Sequence, residues 1–192
     1  LRPNYNVIIS SRLADIPSNN IDPSKIKGDL LKTYEDENYY SLNGIDVSEH
    51  QGEIDFSTLK DQGIEFVYLR LGYRSYGDGS LHLDACFEEN YQKAKEAGLM
   101  IGVYFFSQAI NEKEAIDEAY FVKDNLKGKS IDLHVVYDLE DISYDTSRMS
   151  DTSKEVRVNN AMSFAAKIKD LGYKPMIYTN LHWTYEYYDL SY

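Results

Sequence analysis

From Gly44 onward the chain alternates short apolar runs with segments of helical period, and this alternation restricts the fold more than any other feature. The runs fall at 44–48, 64–72, 99–106, 134–139 and 175–179. Between the first two, Asp55 caps a short helix that Gly63 stops. Asp84 opens a second helix, with Phe87, Tyr91 and Ala94 on one face and Gly98 at its end. Asn111 and Glu114 form a capping box for a third, whose Ala115, Ala119, Val122 and Leu126 share a face before Gly128. A fourth, over 152–171, carries Ala161, Phe164, Ala165, Ile168 and Leu171 and ends at Gly172. Strand–helix units in succession predict a parallel α/β sheet. Five of them suit a five-stranded doubly wound sheet, and equally the first five-eighths of a (β/α)₈ barrel of about 250 residues. Periodicity does not choose between the two.

Residues 1–43 have another character. Asn-Val-Ile-Ile at 6–9 reads as a short strand, but Ser, Pro, Asn and acidic residues follow without a sustained period. That pattern predicts a linker or surface arm over 1–43, ahead of a domain over 44–192. At 43% hydrophobic and 27% charged, the 192 residues have an ordinary globular composition. No run of eighteen apolar residues occurs, so no transmembrane segment is predicted. A net charge of −12 with no basic stripe argues against nucleic acid as a partner. The single cysteine, Cys86, rules out an internal disulfide and cysteine-based zinc sites, and beside Phe87 it reads as a small buried hydrophobe. Eighteen Tyr, seven Phe and one Trp are unusual chiefly in the tyrosines. A flat apolar face joined to a hydroxyl suits stacking on sugars or lining a wet cleft.

The chemistry concentrates in Val135-Val136-Tyr137-Asp138-Leu139-Glu140-Asp141. Strand side chains alternate, so Asp138 and Glu140 leave one side about 6–7 Å apart. Both stand at the carboxyl end of a parallel strand, where α/β folds place their ligands. Two carboxyls so close cannot readily both ionise, and the one with the raised pKa becomes a general acid. A separation of about 5–9.5 Å is what glycoside hydrolysis uses, one group protonating the leaving oxygen and the other handling the nucleophile or cationic transition state. Asp46, near the end of the first strand, joins them if the two strands face a common cleft. Ca²⁺ or Mg²⁺ on Asp138, Glu140, Asp141 and Asp145 is the other chemical reading, although no calcium-loop pattern is met. His50, His82, His134 and His182 lack zinc spacing, and His50 lies close to Asp46 in sequence. Arg70, Tyr73 and Arg74 follow the second strand at its functional end, placed either to contact a sugar or peptide carboxylate or to pair with nearby acids. Gly77-Asp78-Gly79 reads as a turn, and Asp117 and Glu118 as the solvated face of a helix.

Gly44-Ile45-Asp46-Val47-Ser48 with Gln51-Gly52 and Ile54-Asp55-Phe56, then Ile101 to Phe106, then Tyr137 to Asp141, then Lys174 to Tyr178, occur in order. As an ordered set over 44 to about 180 they resemble glycoside hydrolase family 25, the Chalaropsis-type lysozymes. The resemblance implies an irregular, TIM-like (β/α) barrel of parallel strands, about five of eight present in this chain. It implies a catalytic domain over 44–192 that is incomplete at its C-terminal side. The implied activity is cleavage of the β-1,4 bond between N-acetylmuramic acid and N-acetylglucosamine in peptidoglycan, outside the cell or at its surface. The implied roles are Glu140 as proton donor and Asp138 and Asp46 as acidic partners, with Tyr104, Phe106 and Tyr178 lining the sugar cleft and no metal or organic cofactor. Whether such an enzyme retains, inverts or uses the sugar's acetamido group stays open at this level. A non-catalytic wall-binding module on the same fold is the alternative, and the sequence carries no signal of oligomeric state.

Overall fold

The computed structural model describes residues 20–140, 147–180 and 184. It divides into two compact units, residues 1–41 and 42–192. In the first, Asp22 caps a single 3₁₀ turn at Pro23–Lys25, and isolated bridges join Lys27 to Thr33 and Glu35 to Tyr40. The Tyr34 hydroxyl donates to the Asp36 carboxylate, which also accepts the amides of Asn38 and Tyr39. The strand predicted at 6–9 lies outside the described residues.

The second unit is built on β1 (Gly44–Val47), β2 (Phe66–Arg74), β4 (Met100–Phe106), β5 (Val135–Asp138) and β6 (Pro175–Tyr178), all parallel and side by side in that order. A short β3 (Leu81–Leu83) turns back antiparallel on β2. Between the strands run α1 (Phe56–Asp61), α2 (Phe87–Glu96), α3 (Glu112–Asn125) and α4 (Lys154–Asp170). Each parallel strand lies beside the one before it, with no reversal of order. A doubly wound sheet needs a reversal, whereas successive right-handed crossovers in one direction wind a barrel wall. This order decides what periodicity left open. Among the described residues β1 and β6 end the sheet, so the wall is not closed.

One face of the wall is the core. Val67, Leu69, Leu71, Ile101, Val103, Phe105, Val135 and Tyr137 are all at most 1% exposed. Tyr137 packs on Phe164 of α4 and Phe105 on Phe121 of α3, with ring centroids 4.9 and 5.8 Å apart. The other face carries larger, half-buried side chains over glycines. A Cβ on Gly102 would lie 2.2 Å from the Tyr68 ring, so the missing side chain is what lets that ring lie flat on the sheet.

Local signals set most, but not all, of the helix starts. Asp55 accepts from Thr58 N–H and caps α1; Asn111 accepts from Glu114 N–H and caps α3. The return arm of the α3 box goes elsewhere, because Glu114 takes the Ile110 amide and the Arg148 guanidinium. Asp84 does not cap α2, whose N-cap is Cys86 without a side-chain bond. Asp84 is instead 1% exposed and ion-paired with Arg70 at 2.7 Å. Cys86 is correspondingly only half-buried. Glu118 is the clearest reversal: it is fully buried, not solvated, and binds Arg74 Nε and Ser107 Oγ at 2.7 Å each. An i+4 pattern of small alanines leaves room beside it for the sheet, and the arginine it meets comes from β2, far away in sequence.

Candidate active site

A cleft of about 650 Å³ opens at the carboxyl ends of the parallel strands. Asp46, Asp138, Glu140, Tyr104, Phe106 and Tyr178 all line it, so the fold gathers every residue that the sequence singled out for this chemistry. The register explains how. Phe106, Asp138 and Tyr178 are lateral neighbours across β4, β5 and β6, and Tyr104 lies beside Val136 one step back. β5 itself stops at Asp138, one residue after the fully buried Tyr137. Leu139 then points into the core, and Glu140 comes back to the cleft just beyond the strand.

The two acids of this pair have different surroundings. Asp138 is 8% exposed, and its Oδ1 has no hydrogen-bond partner among the described residues. Burial pushes its carboxyl up to about 7, the charges of Glu140 and Asp46 add to the rise, and Arg70 opposes it. Glu140 is half-buried, takes the Tyr178 hydroxyl, and faces Asn180 Nδ2 at 3.5 Å. Asp46 is exposed at the cleft wall. Asp138 therefore holds its proton until close to neutral pH.

The tyrosines are tuned by the same field. Tyr104 is pushed up to about 12, chiefly by burial, with Asp46 and Asp138 adding and Arg70 opposing. Tyr178 is raised by burial and then by Glu140 and Asp138. Both are neutral hydrogen-bond donors at any working pH.

Sequence reasoning placed Arg70, Tyr73 and Arg74 at the functional end of β2, and all three line the cleft, but it missed how the strand turns them. Strict alternation sends Tyr73 toward the helices and Arg74 toward the cleft. A β-bulge between Arg70 and Gly72 shifts the register, pairing Arg70 with Tyr104 but Gly72 with Phe105 and Tyr73 with Phe106. Tyr73 thereby faces the cleft while Arg74 reaches buried Glu118. Tyr68, Tyr76 and His50 also line the cleft. Arg70 is held by Asp84 and by Glu49 at 2.9 Å, with Nη1 3.2 Å from His50 Nε2. Both arginines pair with acids, as expected of their position at the end of the second strand. Asp141 and Asp145 lie outside the described residues, and among the described residues no three His, Cys, Asp or Glu side chains are grouped to hold a metal.

Comparison with known proteins agrees with this geometry. The autolytic lysozyme of Clostridium acetobutylicum is 32% identical over 99 residues, covering 52% of this chain and 28% of that protein. Lysozyme M1 of Streptomyces globisporus is 29% identical over 148 residues, covering 74% of this chain and 47% of that protein. The chain thus spans less than half the length of either relative. The structure of a family 25 lysozyme from Aspergillus fumigatus superposes with a TM-score of 0.64 at 25% identity, over 76% of this chain and 68% of that one. The model of the glycosyl hydrolases family 25 matches residues 45–192, from the first strand through the acidic strand end and beyond. With parallel barrel strands in sequential order and the acids at their carboxyl ends, the chain belongs to glycosyl hydrolases family 25.

Proposed function

We propose that the chain is the catalytic domain, over 44–192, of a peptidoglycan hydrolase that cuts the β-1,4 bond between N-acetylmuramic acid and N-acetylglucosamine. The observation that carries this reading is the Asp138–Glu140 pair, one member buried with an oxygen unpartnered among the described residues and a pKa near 7, the other open to the cleft. Glycosidic cleavage needs a proton for the leaving oxygen and a negative charge facing the oxocarbenium-like carbon. Glu140 is the proton donor: it is the more accessible acid, and Tyr178 and Asn180 orient its carboxyl. As its proton moves to the leaving oxygen, the charge left on Glu140 is met by those two donors. Asp138 and Asp46 face the same space and stabilise the positive charge on the sugar. Tyr104, Phe106 and Tyr178 supply the apolar and hydroxyl surface against which the rings lie. The site of action is outside the cell or at its surface, where peptidoglycan is found, and the ligand is the glycan strand.

The test is a digest of purified peptidoglycan, reduced with borohydride and read by mass spectrometry. Reduced muramic acid ends are expected. Reduced glucosamine ends would move the cut to the other bond. No new ends, together with unchanged binding by Glu140→Gln, would leave a wall-binding module on the same fold.

A further inference from the structure

Ser107 comes directly after β4 and is wholly buried, as are Glu118 and Tyr137 beside it. Its N–H donates to the Asp138 carbonyl at 2.8 Å, which extends the ladder between β4 and β5 to the end of β5. Its Oγ donates to Glu118 Oε2 at 2.7 Å, is hydrogen-bonded to the Tyr137 hydroxyl at 2.9 Å, and accepts the Ala109 amide at 3.2 Å. One serine therefore grips the last two residues of β5, Tyr137 by its side chain and Asp138 by its backbone.

The grip is itself anchored. Glu118 Oε1 takes Arg74 Nε at 2.7 Å, and the other guanidinium nitrogens of Arg74 donate to the carbonyls of Gly79 and Glu114. With Ser107, Glu118 and Tyr137 each 0% exposed, no solvent stands ready to replace a lost bond. Any other arrangement strands a buried polar group or charge, so the network imposes its own geometry on the strands it joins. Asp138 needs such an outside reference. Its Oδ1 has no hydrogen-bond partner among the described residues, so the place of the carboxyl is set by the backbone that carries it.

We propose that Ser107 is a positioning residue for Asp138: by tying the end of β5 to β4 and α3, it holds the Asp138 carboxyl in a fixed place beside Glu140 in the cleft. For its effect on turnover the proposal rests on the hydrolase reading above. Ser107 is fully buried and does not line the cleft, so it acts only through the strand end.

The experiment compares the parent chain with Ser107→Ala and with Val122→Ala, which trims a fully buried side chain one turn along α3 from Glu118 and leaves the network intact. Thermal melts fix a temperature at which all three are folded. There, Ser107→Ala should lower kcat on peptidoglycan fragments about 10-fold with KM within about 2-fold of the parent, since misplacing a reacting group by about 1 Å costs up to about 100-fold. With aspartate labelled at its carboxyl carbon, NMR titration should find Asp138 at about 7 in the parent, where burial, Glu140 and Asp46 raise it against Arg70. In Ser107→Ala that midpoint should fall as the carboxyl moves toward water. Val122→Ala should match the parent in both readouts. Ser107→Cys, a weaker donor, should shift both the same way by less, and it takes the place of the alanine variant should that not fold. An unmoved Asp138 midpoint, or equal losses in Val122→Ala, would overturn the positioning role. A parent that cuts no glycan would overturn the hydrolase reading, while the Asp138 midpoint still decides whether Ser107 holds that carboxyl.

Discussion

Replacing Asp138 by Asn should make the protein more stable at pH 8 while abolishing turnover. The Asp138 carboxyl moves from an ordinary 3.8 to about 7 on folding, because burial and two neighbouring carboxylates disfavour its charge. Between those values the folded chain binds a proton that the unfolded chain has released, so stability falls as pH rises from about 4 to about 7 and then levels off. Below the unfolded value the group is neutral in both states and costs nothing. At about 1.4 kcal/mol per pKa decade, holding Asp138 ionised above neutral pH costs on the order of 4 kcal/mol. Asn keeps the shape and removes the charge, so the variant should gain that amount at pH 8 and almost none at pH 4. Glu118, which burial also pushes up to about 7, is present in both proteins and cancels from the difference. For a chain of this size the gain is a melting temperature higher by about 10 °C at pH 8. Urea titrations of both proteins at several pH values measure it directly. An Asn variant no more stable than the parent at pH 8, or a gain that does not shrink in acid, would refute the burial argument.

Three other outcomes follow from the same structure. Glu140→Gln should lower the release of reducing ends by at least about 100-fold while oligosaccharide binding persists. Glu118→Ala leaves the Arg74 guanidinium, only 7% exposed, with Glu114 at 3.8 Å as its remaining carboxylate, and should cost about 3 kcal/mol in a urea melt. Gly102→Ala would drive a methyl to 2.2 Å from the Tyr68 ring; it should destabilise by about 1–3 kcal/mol and weaken oligosaccharide binding, because that ring lines the cleft.

Much of the molecule was legible before any coordinates because the relevant rules are local. Strand runs and helix stops depend on residues a few positions apart, and the caps at Asp55 and Asn111 form as their spacing indicates. The misreadings share one cause. Glu118 looks like a surface acid on its own helix and becomes a core residue only because Arg74 arrives from β2 to neutralise it. Asp84 still accepts the Cys86 amide at the entry to α2, while its other oxygen is claimed by Arg70. In both, a long-range ion pair buries an acid that local preference, worth only about 1 kcal/mol, would leave at the surface.

The sequence by itself determined that this chain forms strand–helix units with acids at strand ends, since alternation and capping are properties of neighbouring residues. It determined equally that Asp138 and Glu140 belong together, because Leu139 alone separates them. Only the tertiary structure decided that the units wind in one direction, because strand order is a matter of which edges meet. It alone placed Asp46 in the same cleft, some ninety residues from the pair. It alone turned Tyr73 toward that cleft and carried the Arg74 guanidinium to buried Glu118, through a single bulge whose register is fixed by the neighbouring strand.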